Sequence, residues 1–272
     1  MPLSYNVRNL LVRRWTSAFT AGGIALVVAA TMLLSALVSG LKHMLVSAGE
    51  ADNLVIMRKG ATNDGSSAVP RDAAQTIRSL TGIARGADGA ALASPELVNQ
   101  PFMRTGEGGR ENVLVRGVDP IAFAVHRRVK LVAGRIFAPN LGEVVVGVDA
   151  ARRYRAGLGQ QIEFGRRRWT VVGIFDSGGT AFDSEIWADV SDIQDDTRRE
   201  GFSGVRVTLA PGADAGDLKR RIESDGRFTL EVKPESTYYA EQAESANALY
   251  ILVLTLAGIM GAGATFGALN TL

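Results

Sequence analysis

Residues 245–272 read SANALYILVLTLAGIMGAGATFGALNTL, and near the other end residues 15–41 read WTSAFTAGGIALVVAATMLLSALVSGL. Neither stretch contains a charged side chain. A helix rising about 1.5 Å per residue needs about 20 apolar residues to cross a hydrocarbon core of about 30 Å, so both are long enough to span a membrane. The intervening chain is then an insert hung between two spans. The second stretch stops at Asn270-Thr271-Leu272 without a polar flank, so the sequence reads as a partial chain.

Ahead of the first span, Leu3, Val7, Leu10 and Leu11 recur at helical spacing. Residues 1–14 therefore read as an amphipathic helix on the membrane surface. Arg8, Arg13 and Arg14 precede residues 15–42, whereas Lys42 and His43 alone follow closely. The Lys/Arg asymmetry puts the N-terminus in the cytoplasm and the insert, residues 43–243, outside. A cleavable signal peptide would share this pattern, with Val46-Ser47-Ala48 as a cleavage site. The uncharged run is much longer than the 7–15 residues of a signal core, which favours an anchor. Residues 244–272 return the chain to the cytoplasmic side.

Charge excludes one broad function. With 30 Lys+Arg against 28 Asp+Glu the chain is nearly neutral, so it does not bind nucleic acid by neutralising phosphates. No cysteine occurs, which removes disulfides, thiolate metal sites and cysteine nucleophiles together.

The insert reads as α+β. Strand-like runs at residues 53–59, 91–98 and 112–118 surround a helix that begins near Pro70 and ends before Gly82. Pro120 opens a short helical turn. From residue 131 the strands shorten, at 143–148, 161–164, 169–175 and 185–188, with glycines between them. A strand at 205–209, a helix at 213–224 and a strand at 229–233 then restore the first texture. The expected architecture is an α+β lobe, about 50–130 and 200–235, with a small β lobe, about 131–199, inserted in it. Residues 236–246 are helical in character and run without a breaker into the second span.

Little in the insert suggests catalysis. His43 and His126 have no nucleophile or metal ligand near them in sequence and read as surface residues. No P-loop and no Gly-x-Ser-x-Gly motif is present. In the loop 176–185, Asp176, Asp183 and Glu185 offer carboxylates, but their spacing misses a calcium loop. The loop reads as a turn between strands and a candidate contact surface for a partner. Arg152-Arg153 and Arg166-Arg167-Arg168 read as solvated edges. In the second span, Gly258, Gly261, Gly263 and Gly267 are candidates for close helix packing, and Gly263-x-x-x-Gly267 matches the small-residue pattern for it, in the same subunit or against a second copy.

Three pieces, NLLVRRWTSAFTAGGIA at residues 9–25, WTVVGIF at 169–175 with SEIW at 184–187, and FGALNTL at 266–272, together resemble the FtsX-like, or MacB-like, permeases of ABC transporters. Their order, with a long insert between spans one and two, carries more of the resemblance than any one motif. It implies a four-span protein of the bacterial inner membrane, with a periplasmic core domain made of a porter-like α+β lobe and a smaller β lobe. It also implies partners: an ABC ATPase subunit that binds the ATP, a second permease subunit, and a periplasmic adaptor or substrate protein. No cofactor or catalytic residue is implied for this chain. The cytoplasmic coupling helix of the family would follow the second span, and the sequence stops before it. The expected function is to couple ATP hydrolysis to export or extraction of an envelope substrate. The alternative is a non-transporting regulator that activates an extracytoplasmic partner.

Overall fold

A computed structural model of the chain describes residues 14–269. The surface helix expected over 1–14 lies, apart from Arg14, outside the described residues, as do Asn270-Thr271-Leu272. In chain order the elements are α1 (Arg14–Val46), β1 (Asn53–Arg58), α2 (Arg71–Ser79), β2 (Ala93–Asn99), β3 (Phe102–Arg104), β4 (Arg110–Asn112) and β5 (Leu114–Val118). There follow α3 (Ala122–Val125), β6 (Lys130–Gly134), β7 (Glu143–Gly147), α4 (Val148–Tyr154), β8 (Gln161–Phe164), β9 (Arg167–Asp176) and β10 (Glu185–Asp189). The chain ends with α5 (Val190–Thr197), β11 (Gly204–Thr208), α6 (Ala215–Glu223), β12 (Leu230–Pro234) and α7 (Glu235–Leu269).

Two compact units separate, one of Met1–His43 with Glu241–Leu272 and one of Met44–Ala240. In the first, α1 carries the run Ala21–Val46, with mean hydropathy 2.4, which is long and apolar enough to cross a membrane. Its Leu26, Leu33 and Leu37 are exposed, as a surface facing lipid would be. Helix α7 is unbroken from Glu235 to Leu269 and carries a shorter apolar run, Ile251–Gly263.

The second unit is built on one mixed ten-stranded sheet, ordered β12-β1-β11-β2-β5-β10-β7-β9-β6, with β8 paired to β9. The β5–β10 and β7–β9 pairs are parallel and the rest antiparallel. The strands of the two expected lobes lie in this one sheet and meet at the parallel β5–β10 pair, while within the first lobe strand β2 changes partner along its length. Its residues Ala93 to Glu96 pair with β11, and its residues Leu97 to Asn99 pair with β5. The segment 131–199, expected to be mostly β, also holds two helices, α4 and α5. Each starts where a strand ends, so the apolar run of the strand hides the helix that follows. Asp189, the last residue of β10, caps α5 by accepting from the N–H groups of Ser191 and Asp192.

Period-two alternation sends successive side chains to opposite faces of the sheet. On one face, Leu54, Ile56, Val205 and Val207 pack beneath α2 and α6. On the same face, Leu97, Val115, Val144, Val146 and Ile186 pack beneath α4 and α5. On the other face, Val55, Met57, Val118, Val145 and Trp187 meet Phe182, Tyr238 and Tyr239. That second face is closed by the first turns of α7, by α3 and by the 3-10 turn Ala181–Ser184. The turn lies so close to β7 that a Cβ at Gly147 would stand 2.3 Å from the Asp183 carbonyl oxygen, so only glycine fits there.

Candidate functional site

The face beneath α7 holds a charge network that the apolar pattern does not announce. Four consecutive strands, β11, β2, β5 and β10, place Arg206, Glu96, Arg116 and Glu185 on that face. Their registers set Val98 opposite Arg116, Glu96 opposite Gly204 and Trp187 opposite Arg116, so the four side chains are diagonal neighbours. Arg116 grips Glu185 with two donors, Nε to Oε2 at 2.7 Å and Nη2 to Oε1 at 2.6 Å. Its Nη1 donates to Glu96 Oε2 at 2.8 Å. Arg206 donates through Nη1 to the same Glu96 oxygen at 2.8 Å and through Nη2 to Asp64 Oδ2 at 2.8 Å. Arg206 and Glu96 are 0% exposed.

Residues from outside the sheet complete the network. Tyr238, in the first turn of α7, donates its hydroxyl to Asp64 Oδ2 at 3.0 Å. Glu235, at the start of α7, accepts through Oε2 from the Asn53 amide and the Glu50 backbone N–H, each at 3.0 Å. The second oxygen of Glu235, Oε1, faces Arg206 Nε at 3.6 Å, an ion pair beyond hydrogen-bond reach. His126, just past α3, lies 2.7 Å through Nε2 from Glu96 Oε1. An ionised carboxylate only accepts, so Nε2 carries the proton in that bond. The Trp187 indole donates to Glu185 Oε2 at 2.8 Å.

Burial pushes the Glu96 carboxyl up, but Arg206, then the His126 ring and Arg116, outweigh it and hold Glu96 far below the usual carboxylate range. Asp64 is lowered as well, burial opposing and Arg206 with Arg116 prevailing. Burial and neighbouring Asp64 raise the Tyr238 phenol, which stays a neutral donor. Two guanidinia face four carboxylates, Asp64, Glu96, Glu185 and Glu235. Taking such charges out of water costs several kcal/mol per ion, so the network stands only while each partner is in place.

A pH prediction follows from these directions. Groups whose carboxyls are depressed on folding stabilise the native state above their unfolded values, 4.5 for Glu96 and 3.8 for Asp64, and lose that contribution as pH falls below them. Asp189, raised by burial, titrates in the opposite sense and offsets part of the loss. Stability is expected to be level above pH about 5 and to fall by a few kcal/mol through the acid range. Urea midpoints measured against pH check this, and Glu96→Gln is expected to flatten the acid limb.

The residues singled out in the sequence lie apart. Asp183 and Glu185 are buried: Asp183 accepts from Ser177 and the Gly179 N–H, and Glu185 belongs to the network. Asp176 is half-buried and caps the Gly178 N–H, so of the three it is the one open to a partner. His126 is 1% exposed, which corrects its reading as a surface residue: the short helix α3 turns it inward, where it meets Phe182 and Trp187 edge-on. A Cβ at Gly258, Gly261 or Gly263 would meet nothing within 4 Å among the described residues. Gly267 is in the same helix, but its side-chain position lies outside the described residues. No group of His, Cys, Asp and Glu that could hold a metal ion occurs among the described residues.

The chain belongs to the MacB-like periplasmic core domain family, whose model matches residues 17–225. That family is a membrane-embedded permease component of ABC-type transporters with a periplasmic domain. Among solved structures, the chain is similar to the periplasmic region of MacB from Actinobacillus actinomycetemcomitans, at 15% identity and a TM-score of 0.55, over 70% of this chain and 92% of that one. It is also similar to the extracellular domain of the noncanonic ABC-type transporter YknZ from Gram-positive bacteria, at 13% identity and a TM-score of 0.49, over 66% and 99%. No curated protein matches the chain.

Proposed function

We propose that the chain is the permease subunit of an ABC-type transporter or mechanotransmission complex, working with a separate ATPase. The observation that carries this reading is α7, one continuous helix whose Glu235 and Tyr238 are tied into the buried network and which goes on through the apolar run Ile251–Gly263. In this reading that run is the second span. Closure of two ATPases draws two permease subunits together, and α7 passes the movement to the periplasmic domain through Glu235 and Tyr238. Gly263 with Gly267, four residues on in the same helix, is where a second subunit packs, since small residues let helix backbones approach closely. Asp176 is a contact for a periplasmic adaptor or substrate protein.

The test is purification of the affinity-tagged gene product from its host membranes. A P-loop ATPase is expected to copurify, with its turnover raised several-fold by the permease. Recovery of the protein free of any ATPase would sink the reading. Turnover intact, with export unaffected by gene deletion but an envelope enzyme silenced, would replace transport with regulation.

A further inference from the structure

Three exposed arginines of the domain gather around one groove. The hairpin β3–β4 and strand β8 border a groove of about 720 Å³ whose lining includes Phe102, Arg104, Arg110, Tyr154 and Arg166. Arg104, Arg110 and Arg166 are exposed and their side chains pair with no carboxylate among the described residues, while the Arg166 backbone N–H donates to Asp196 Oδ1 at 2.8 Å. The groove has one acidic lining residue, Glu163, and Arg168 holds it at 2.7 Å. Arg167 is spent elsewhere, on Asp192 at 2.9 Å and over the Trp169 ring. An ordinary solvated face mixes both signs, whereas here three guanidinia stand uncompensated in a chain whose net charge is only +2.

The shape narrows the ligand. Among the described strands β8 pairs only with β9, so its outer edge leaves backbone donors and acceptors free for an extended chain. Phe102, 62% exposed, supplies an aromatic anchor at the rim. Guanidinium forks suit carboxylates or phosphates, but a strand edge and an aromatic rim serve a peptide better than a phosphate. The floor residues Tyr154, Ile162 and Phe164 belong to the core beneath α4 and α5.

We infer that this groove is a docking site for an extended acidic segment of a partner protein. The inference does not depend on ATPase coupling. The test uses the whole chain in nanodiscs of zwitterionic lipid and a fluorescein-labelled peptide of about ten alternating Glu and Val residues, a length that spans about 30 Å when extended. Anisotropy is expected to show binding that weakens with salt. Arg104→Glu with Arg110→Glu, and separately Arg166→Glu, are expected to weaken it about tenfold or more, and Phe102→Ala about tenfold without changing the salt slope. Lys130→Glu, in register with Asp176 at the opposite end of β9 from β8, is expected to leave it unchanged. Among the described residues the Arg104, Arg110 and Arg166 side chains make no hydrogen bond, so their variants should keep the parent melting temperature. Unchanged affinity in the groove variants would overturn the inference, as would binding of phosphatidylglycerol vesicles or polyphosphate in place of the peptide.

Discussion

Replacement of Arg206 by methionine is expected to lower the stability of the periplasmic domain by about 3–5 kcal/mol, although the two side chains are similar in length. The cost comes from what is left behind. Arg206 is fully buried and donates to Glu96 and Asp64, with Glu235 beside it. Without it those carboxylates must be protonated or draw water into the core, and Arg116 alone cannot serve all of them. Urea unfolding of the detergent-solubilised protein, followed by the emission of the buried Trp169 and Trp187, measures the loss. The double variant with Glu96→Gln is expected to recover part of it, because neighbours in one network do not add. A single-variant loss below about 1 kcal/mol would mean that the network contributes little to holding the sheet against α7.

Trp187→Ala is expected to cost a similar amount, about 3–5 kcal/mol, for a different reason. Its ring is fully buried among Phe123, His126, Phe175 and Phe182, at centroid distances between 5.2 and 5.7 Å. Truncation removes that packing and leaves a cavity under the foot of α7. Trp187→Phe keeps most of the ring but removes the indole donor to Glu185. It is expected to cost about 1–3 kcal/mol, the penalty of a buried acceptor deprived of one partner. Equal losses in the two variants would place the effect in the hydrogen bond instead of the packing.

Much of the domain is legible in the sequence because its signals are local. Gln161–Phe164 alternates polar and apolar, Pro70 sits at the start of a helix with Ala73, Ala74 and Ile77 on one face, and both are found as read. The helices α4 and α5 are less legible, being short and following strands without a loop. The hairpin β3–β4 is hidden by its own composition: Arg110 and Glu111 end a run rich in Gly, Glu and Arg, and their pairing with Arg104 and Met103 depends on a cross-strand partner. The groove that this hairpin borders was illegible with it.

The candidate site shows where reading along the chain stops. Alternation in β2, β5, β10 and β11 establishes from sequence that Glu96, Arg116, Glu185 and Arg206 point away from the apolar face. In an isolated strand that direction means water. Tertiary packing gives it another meaning, because α7, α3 and the 3-10 turn Asp64–Ser66 bring Glu235, Tyr238, His126 and Asp64 over the same face and exclude solvent. The sequence thus settles that the chain has apolar ends and an α+β middle, and which residues of each strand share a face. Whether a charged face stays wet depends on elements more than a hundred residues away, such as Asp64 and Tyr238, 174 positions apart, and no local pattern records that.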